Sequence, residues 1–147
     1  MKKELLKLAN AKVEMRLKEA KKAMTAAQNA ANEDTKSSAG DKFETSRAMA
    51  HNDLNLYSRQ WREAKLDWDI LEGINPERGF VLAGTGALVK TNIGTFFLSV
   101  SMGVLEAEGQ KVMAASLVSP MGEALQGKKE GDKINFRGKK IKILEVT

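Results

Sequence analysis

The sequence predicts an α+β protein in two parts: a long antiparallel helical hairpin, then a small antiparallel sheet domain with one short helix. Three observations predict it. Of the 12 glycines and 2 prolines in 147 residues, only Gly40 falls before residue 73. Glycine and proline punctuate turns and are costly inside helices, so a helix-rich segment is joined to a turn-rich one near Gly73-Ile74-Asn75-Pro76. Within the first segment, apolar residues recur at alternating spacings of four and three, the heptad signature of a helix that presents one stripe to a partner. In the second segment, short β-branched and aromatic runs alternate with turn residues.

The first run of the seam is Leu6, Asn10, Val13, Leu17, Ala20, Met24, Ala27 and Ala31, and the second is Ala50, Leu54, Tyr57, Trp61, Ala64, Trp68 and Leu71. Two runs of similar length across a break at residues 35–40 describe a hairpin over residues 1–74 with its tip at about 35–44. At 1.5 Å per residue each arm would be roughly 45–50 Å long. Ala27, Ala31 and Ala50 keep the tip slim, while Leu6, Val13, Trp61 and Trp68 thicken the base. Because the hairpin satisfies its own seam, a monomer is expected.

Residues 76–147 form the second domain. Residues 80–83, 87–90 and 94–100 read as strands, with turns at 84–86 and 91–94. Ser119, Pro120 and Gly127 then punctuate a short helix as cap, first helical residue and exit. A polar turn at 128–132 leads into a closing hairpin made by 133–136 and 140–146.

Composition excludes several chemistries. With no cysteine there is no thiol nucleophile, disulfide or thiolate zinc site, and one histidine cannot make a His-rich metal centre. Acid and base interleave from the first residues, so no secretory signal core is read there, and no apolar run is long enough to span a membrane. A cytoplasmic protein is expected. The net charge of +5 is modest, no block of like charge marks a nucleic-acid arm, and binding to free DNA is not expected.

Residues 119–132 read Ser-Pro-Met-Gly-Glu-Ala-Leu-Gln-Gly-Lys-Lys-Glu-Gly-Asp, and residues 40–44 read Gly-Asp-Lys-Phe-Glu. Behind a long helical hairpin, these resemble the Gre family of bacterial transcript-cleavage factors, with its S-P-x-x-x-A-L-x-G-K-x-x-G-D stretch and its G-D-x-x-E tip. The resemblance covers nearly the whole chain. It implies an FKBP-like carboxy-terminal domain that docks at the rim of the secondary channel of RNA polymerase, with Ser119, Pro120, Lys128 and Lys129 among the contacts. It also implies that the hairpin reaches the active centre, where Asp41 and Glu44 help hold a second Mg²⁺ shared with the polymerase. The polymerase then cleaves its own backtracked RNA, so the chain is an accessory factor and not itself an enzyme.

The same acids have a simpler reading. Asp41 opening a helix with Glu44 three residues on is the geometry of a capping box, and both acids suit the helix dipole. The two readings are compatible, since a capped helix start holds its carboxylates in place. Glu33 and Asp34 are further acids near the tip. The tip departs from the family where Thr45-Ser46-Arg47 follows the glutamate, with Lys36 and Lys42 flanking the pair and Phe43 between its members. Lys36, Lys42 and Arg47 are placed either to meet RNA phosphate or to compete for the carboxylates, and Phe43 either folds onto the alanine seam or stacks on a partner. This leaves a second reading, a non-catalytic regulator of the same channel, and a third, a coiled-coil adaptor unrelated to polymerase. His51 reads as a solvated helix residue, Trp61 and Trp68 as base packing, and Lys128, Lys129, Lys139 and Lys140 as solvated lysines or a basic patch. Gly84-Thr85-Gly86 is no dinucleotide fingerprint, because Val89 replaces the third glycine.

Overall fold

Helix formation in the first half follows from the near absence of glycine and proline. The computed structural model describes the backbone of residues 1–34 and 40–147 and the side chains of 1–33 and 45–147. Helix α1 spans Lys2–Asp34 and helix α2 spans Gly40–Glu72, 33 residues each. The chain divides into two compact units, one of Met1–Ala11 with Asp69–Thr147 and the other of Lys12–Trp68. The division thus falls inside both long helices, away from residues 73–76.

In the unit Lys12–Trp68 the two helices run antiparallel. Arg16 on α1 pairs with Asp67 on α2 at 2.9 Å, whereas Ala23, further along α1, shares a cleft with Tyr57, earlier in α2. Val13, Ala20, Ala27 and Ala31 of the seam are buried, as are Ala50 and Ala64 opposite them. Leu17, Met24, Leu54, Tyr57, Trp61 and Trp68 are half-buried. The stripe is therefore the one the heptad spacing gives.

In the other unit the stripe turns. Leu5 and Ala9 are fully buried, while Leu6 and Asn10 are only half-buried. The first turn of α1 has a second set of neighbours there: the Lys2 ammonium donates to the carbonyls of Arg78 at 2.6 Å and Thr147 at 3.0 Å. A helix that must face more than one partner buries a row displaced from a pure two-helix seam. Burial also pulls the Lys2 ammonium's pKa below its ordinary value. Asn10 keeps a buried side-chain oxygen with no hydrogen-bond partner among the described residues.

Beyond α2 the chain forms strands β1 (Leu88–Thr91), β2 (Gly94–Ser99), β3 (Gly103–Ala107) and β4 (Gln110–Ser116). Helix α3 (Pro120–Leu125) and strands β5 (Lys133–Phe136) and β6 (Lys139–Val146) follow. The sheet order is β3-β4-β2-β1-β6-β5. A fully antiparallel sheet was expected, and four of the five pairings are antiparallel, but β2 and β4 run parallel with Phe97 beside Ala114. The cause is β3, which turns the chain back so that β4 re-enters the sheet in the direction of β2.

Two further differences from the sequence reading have local causes. Residues 80–83 are not a strand: Ala83 exchanges backbone hydrogen bonds of 2.8 Å with Lys128 and Gly127 in the loop after α3. Val81 and Leu82 are consequently exposed, and the Phe80 ring lies about 5 Å from both the Lys2 ammonium and the Arg78 guanidinium. The β3–β4 hairpin has no counterpart in the sequence reading, since its turn, Glu108-Gly109, lacks the usual Asn-Gly or Asp-Gly cue. Both residues nevertheless have positive φ, 52° and 72°, as a type I′ turn requires. Arg137-Gly138 does the same between β5 and β6, with φ of 48° and 81°.

The core beneath α3 contains Ala83, Ala87, Val89, Phe96, Leu98, Leu125 and Ile143. Helix α3 reaches it through one close approach. A Cβ on Gly122 would collide with the Ser116 carbonyl oxygen and crowd the Leu117 backbone, neither of which can swing aside as a side-chain tip would. Replacing Gly122 by alanine is expected to destabilise the sheet domain by about 1–3 kcal/mol, the usual cost of forcing extra volume into a packed site. Thermal unfolding of Gly122→Ala beside Gly127→Ala checks this, because the strain at Gly127 is conformational and its Cβ would meet open space. A Gly122→Ala midpoint equal to that of the unchanged chain would refute the packing account.

Candidate functional site

The two groups of residues singled out for function belong to different elements. At the junction of the long helices, α1 ends at Asp34 and α2 begins at Gly40. Residues 41 and 44 are therefore the second and fifth residues of α2. Lys36, and the side chains of Asp41, Lys42, Phe43 and Glu44, lie outside the described residues. Arg47, one turn further along α2, is exposed, as is His51. Among the described residues no group of three or more histidine, aspartate or glutamate side chains is placed to hold a metal, and no helix is long and apolar enough to cross a membrane.

Within the unit Lys12–Trp68 the two long helices carry an ion pair on their surface. Arg16 and Asp67 keep 42% and 26% of their side chains exposed. A pair that wet contributes up to about 1 kcal/mol. Next to it a cleft of about 330 Å³ is lined by Arg16, Glu19, Ala20, Tyr57 and Glu63. Small residues on α1 face the ring of Tyr57 there, which is why the seam leaves a gap.

The second group sits around α3. The Ser119 hydroxyl oxygen accepts the Gly122 N–H at 3.1 Å and donates to the Ser116 carbonyl at 2.6 Å. Pro120 follows in the first turn, where its missing N–H costs nothing. Both residues border a cleft of about 470 Å³ whose walls include Phe96, Met102, Met113, Met121 and Phe136. Methionine side chains adapt to varied shapes, so such a wall suits a protein surface with protruding apolar groups. Met102 and Met113 were not among the expected site residues. They enter the site only because β3 and β4 pair, and the signal for that was the Glu-Gly turn.

Lys128 and Lys129 are elsewhere. The backbone of Lys128 is tied to Leu125 and Ala83, and the Lys129 N–H donates to the Asp132 carboxylate at 2.9 Å. Lys129 lines a separate groove with Phe80, Val81, Glu130 and Val146. The structure thus unites Ser119 and Pro120 with an apolar cleft and leaves the two lysines outside it.

The arrangement defines a two-part α+β chain, a helical hairpin followed by a six-stranded mixed sheet with one short helix. No protein-family model and no curated protein matches the sequence. Among solved structures, one described as the structure of the transcription factor Gfh1 is similar over 94% of this chain and 92% of that one, at 16% identity and a TM-score of 0.37. At that identity and score the likeness carries no argument, and the fold rests on the strand order and burial above.

Ser119 separates two roles by substitution. Ser119→Ala is expected to cost about 1 kcal/mol of stability through loss of the cap, and Ser119→Asp to restore most of it, because aspartate also caps. Denaturant unfolding of the two variants measures this. Equal loss in both would mean that the hydroxyl's donor bond to Ser116, and not the cap, is what matters.

Proposed function

We propose that the chain is an accessory factor of RNA polymerase, a Gre-like protein that enters the secondary channel and stimulates cleavage of backtracked RNA. One observation carries this reading: in the stretch resembling the family's pattern, the matching residues hold the backbone in a defined shape. Ser119 caps α3 and Pro120 opens it. Leu125 is fully buried. Gly127 and Gly131 adopt φ of 76° and 90°, and the Asp132 carboxylate closes the turn onto Lys129. A pattern this dependent on backbone geometry is a signature of one small fold, and here it stands behind a hairpin whose second helix starts Gly-Asp-Lys-Phe-Glu. A fold alone does not fix function, and the chemistry of this reading belongs to the start of α2.

Asp41 and Glu44 would act as a pair of oxygen donors at the start of α2. The donor set suits magnesium, a hard cation that takes one or two carboxylates and keeps several waters. A second ion held jointly with the polymerase would supply Lewis-acid assistance to phosphodiester hydrolysis. Being in the first turn, Asp41 is also favoured by the helix dipole. The cleft beside Ser119 and Pro120 would seat an apolar group at the channel rim.

A second reading has its own support. Arg47 is exposed one turn beyond Glu44, and Lys42 lies between the two acids in sequence. Cations so close compete with a metal for the carboxylates, which favours a factor that occupies the channel and tunes transcription without cleavage.

A stalled elongation complex with its cognate polymerase distinguishes the two. The unchanged chain is expected to accelerate release of the RNA 3′ fragment, and the double variant Asp41→Ala, Glu44→Ala to fall back to the rate of polymerase alone while still co-purifying with it. Full stimulation by the double variant would remove the catalytic assignment. Binding with inhibition of initiation, and no cleavage from the unchanged chain, would favour the regulator.

A further inference from the structure

Seven of the ten basic residues after residue 73 fall between 128 and 142, and the β5–β6 hairpin concentrates them. Residues 133–144 contain five cations, Lys133, Arg137, Lys139, Lys140 and Lys142, and no acid. All five are exposed, and none forms an ion pair among the described residues. The Arg137 guanidinium lies 5.1 Å from the Phe136 ring at the hairpin's end.

Register places three of these charges on one face. Lys133 stands opposite Lys142, and Asn135 opposite Lys140. They alternate with Ile134, which is half-buried, and Ile141, which is fully buried, so the lysine face is the outer one. Like charges directly opposite across two strands destabilise the pair. One lysine suffices to guard an edge strand against pairing with another chain; three on a face, with an amide between them, exceed that need. The backbone beneath is fixed: the Asn92 side chain accepts the Lys142 N–H at 2.9 Å and donates to the Lys140 carbonyl at 3.4 Å.

We propose that the outer face of β5–β6 binds the phosphate backbone of single-stranded RNA, with Lys133, Lys140 and Lys142 as the phosphate contacts. Lys140 and Lys142 are two residues apart on a strand, about 7 Å, so the cations form a short row along the strand rather than a single point. A groove of duplex DNA is a poor fit. Asn92 holds the hairpin's flank and the core covers its inner face, so it is not a free ribbon that could enter a groove. A single strand can lie across an exposed face, held by its phosphates and indifferent to base identity. The choice of RNA over DNA rests on the polymerase reading above; the charge argument does not.

The test is fluorescence anisotropy of a labelled 12-nucleotide oligouridylate with the full chain over a salt series. Each phosphate contact to a single strand contributes about −0.7 to the slope of log affinity against log salt, so three contacts predict a slope of about −2. Lys140→Gln with Lys142→Gln is expected to weaken binding roughly tenfold or more and to make the slope shallower by about 1.4. Lys3→Gln with Lys7→Gln removes the same charge from exposed positions of α1 and is expected to leave affinity unchanged. Circular dichroism of each variant verifies the fold. Equal weakening by both pairs would reduce the effect to net charge and overturn the site. Unchanged affinity in the hairpin variant, with new self-association, would assign the lysines to edge protection and also overturn it. Duplex DNA bound as tightly as the oligouridylate would overturn the single-strand assignment, and tighter binding of oligothymidylate would overturn the choice of RNA. Association with polymerase is scored separately: its loss with hairpin-dependent RNA binding intact overturns the polymerase reading alone.

Discussion

The sheet domain depends on how closely helix α3 can lie on the backbone that leaves β4. Gly122 sits where any side chain would strike the Ser116 carbonyl oxygen, and that same oxygen accepts the Ser119 hydroxyl. One carbonyl therefore marks the limit of approach and anchors the cap. With the helix at that distance, Leu125 reaches the core beside Val89, Leu98 and Ile143. The chain then leaves through Gly127 into the turn closed by Asp132, and Ile143 exchanges hydrogen bonds of 2.8 Å with residues 131 and 132. The methionine-lined cleft, the loop that holds Ala83 and the position of β6 all follow from this contact.

The helical unit is built on a different principle. Its buried residues between Val13 and Ala64 are mostly alanines, each removing little apolar area from water, so burial at about 25 cal/mol per Å² adds little per turn. Continuous helices with good propensity offset this, since no glycine or proline interrupts either within the described seam. A seam of small residues lets two helices approach closely but tolerates gaps, as the cleft beside Tyr57 illustrates.

Much of the fold was legible because its signals are local. Heptad spacing gave the buried stripe from Val13 onward and along α2, and Ser119, Pro120 and Gly127 gave α3 with its cap and exit. The failures were non-local. Leu5 and Ala9 replace Leu6 and Asn10 because α1 meets residues more than 70 positions away. Residues 80–83 look like a strand by composition, yet their backbone partner is the loop at 127–128. The parallel pairing of β2 with β4 could not be read from either strand alone. For the candidate site, Ser119 and Pro120 were legible as a cap, but the cleft they border is assembled from β2, β4, α3 and β5 together. Asp41 and Glu44 were read from a short pattern, and the structure adds that α2 already starts at Gly40, one residue before the pair.

The parallel β2–β4 pair has a consequence for how the chain acquires its shape. Contacts in the Lys12–Trp68 unit depend on helices that form on the microsecond scale, whereas β2 can receive β4 only after β3 has turned the chain back. Strand β1 must moreover find β6, with Val89 paired to Val146 across more than fifty residues. Closing such loops costs entropy before any contact rewards it. The turns within each long helix need no such closure, so it is the sheet whose order waits on distant pairing. The exposed edges of an unfinished sheet are what the chain must protect in the interval, and Lys133 of β5 stands at one of them.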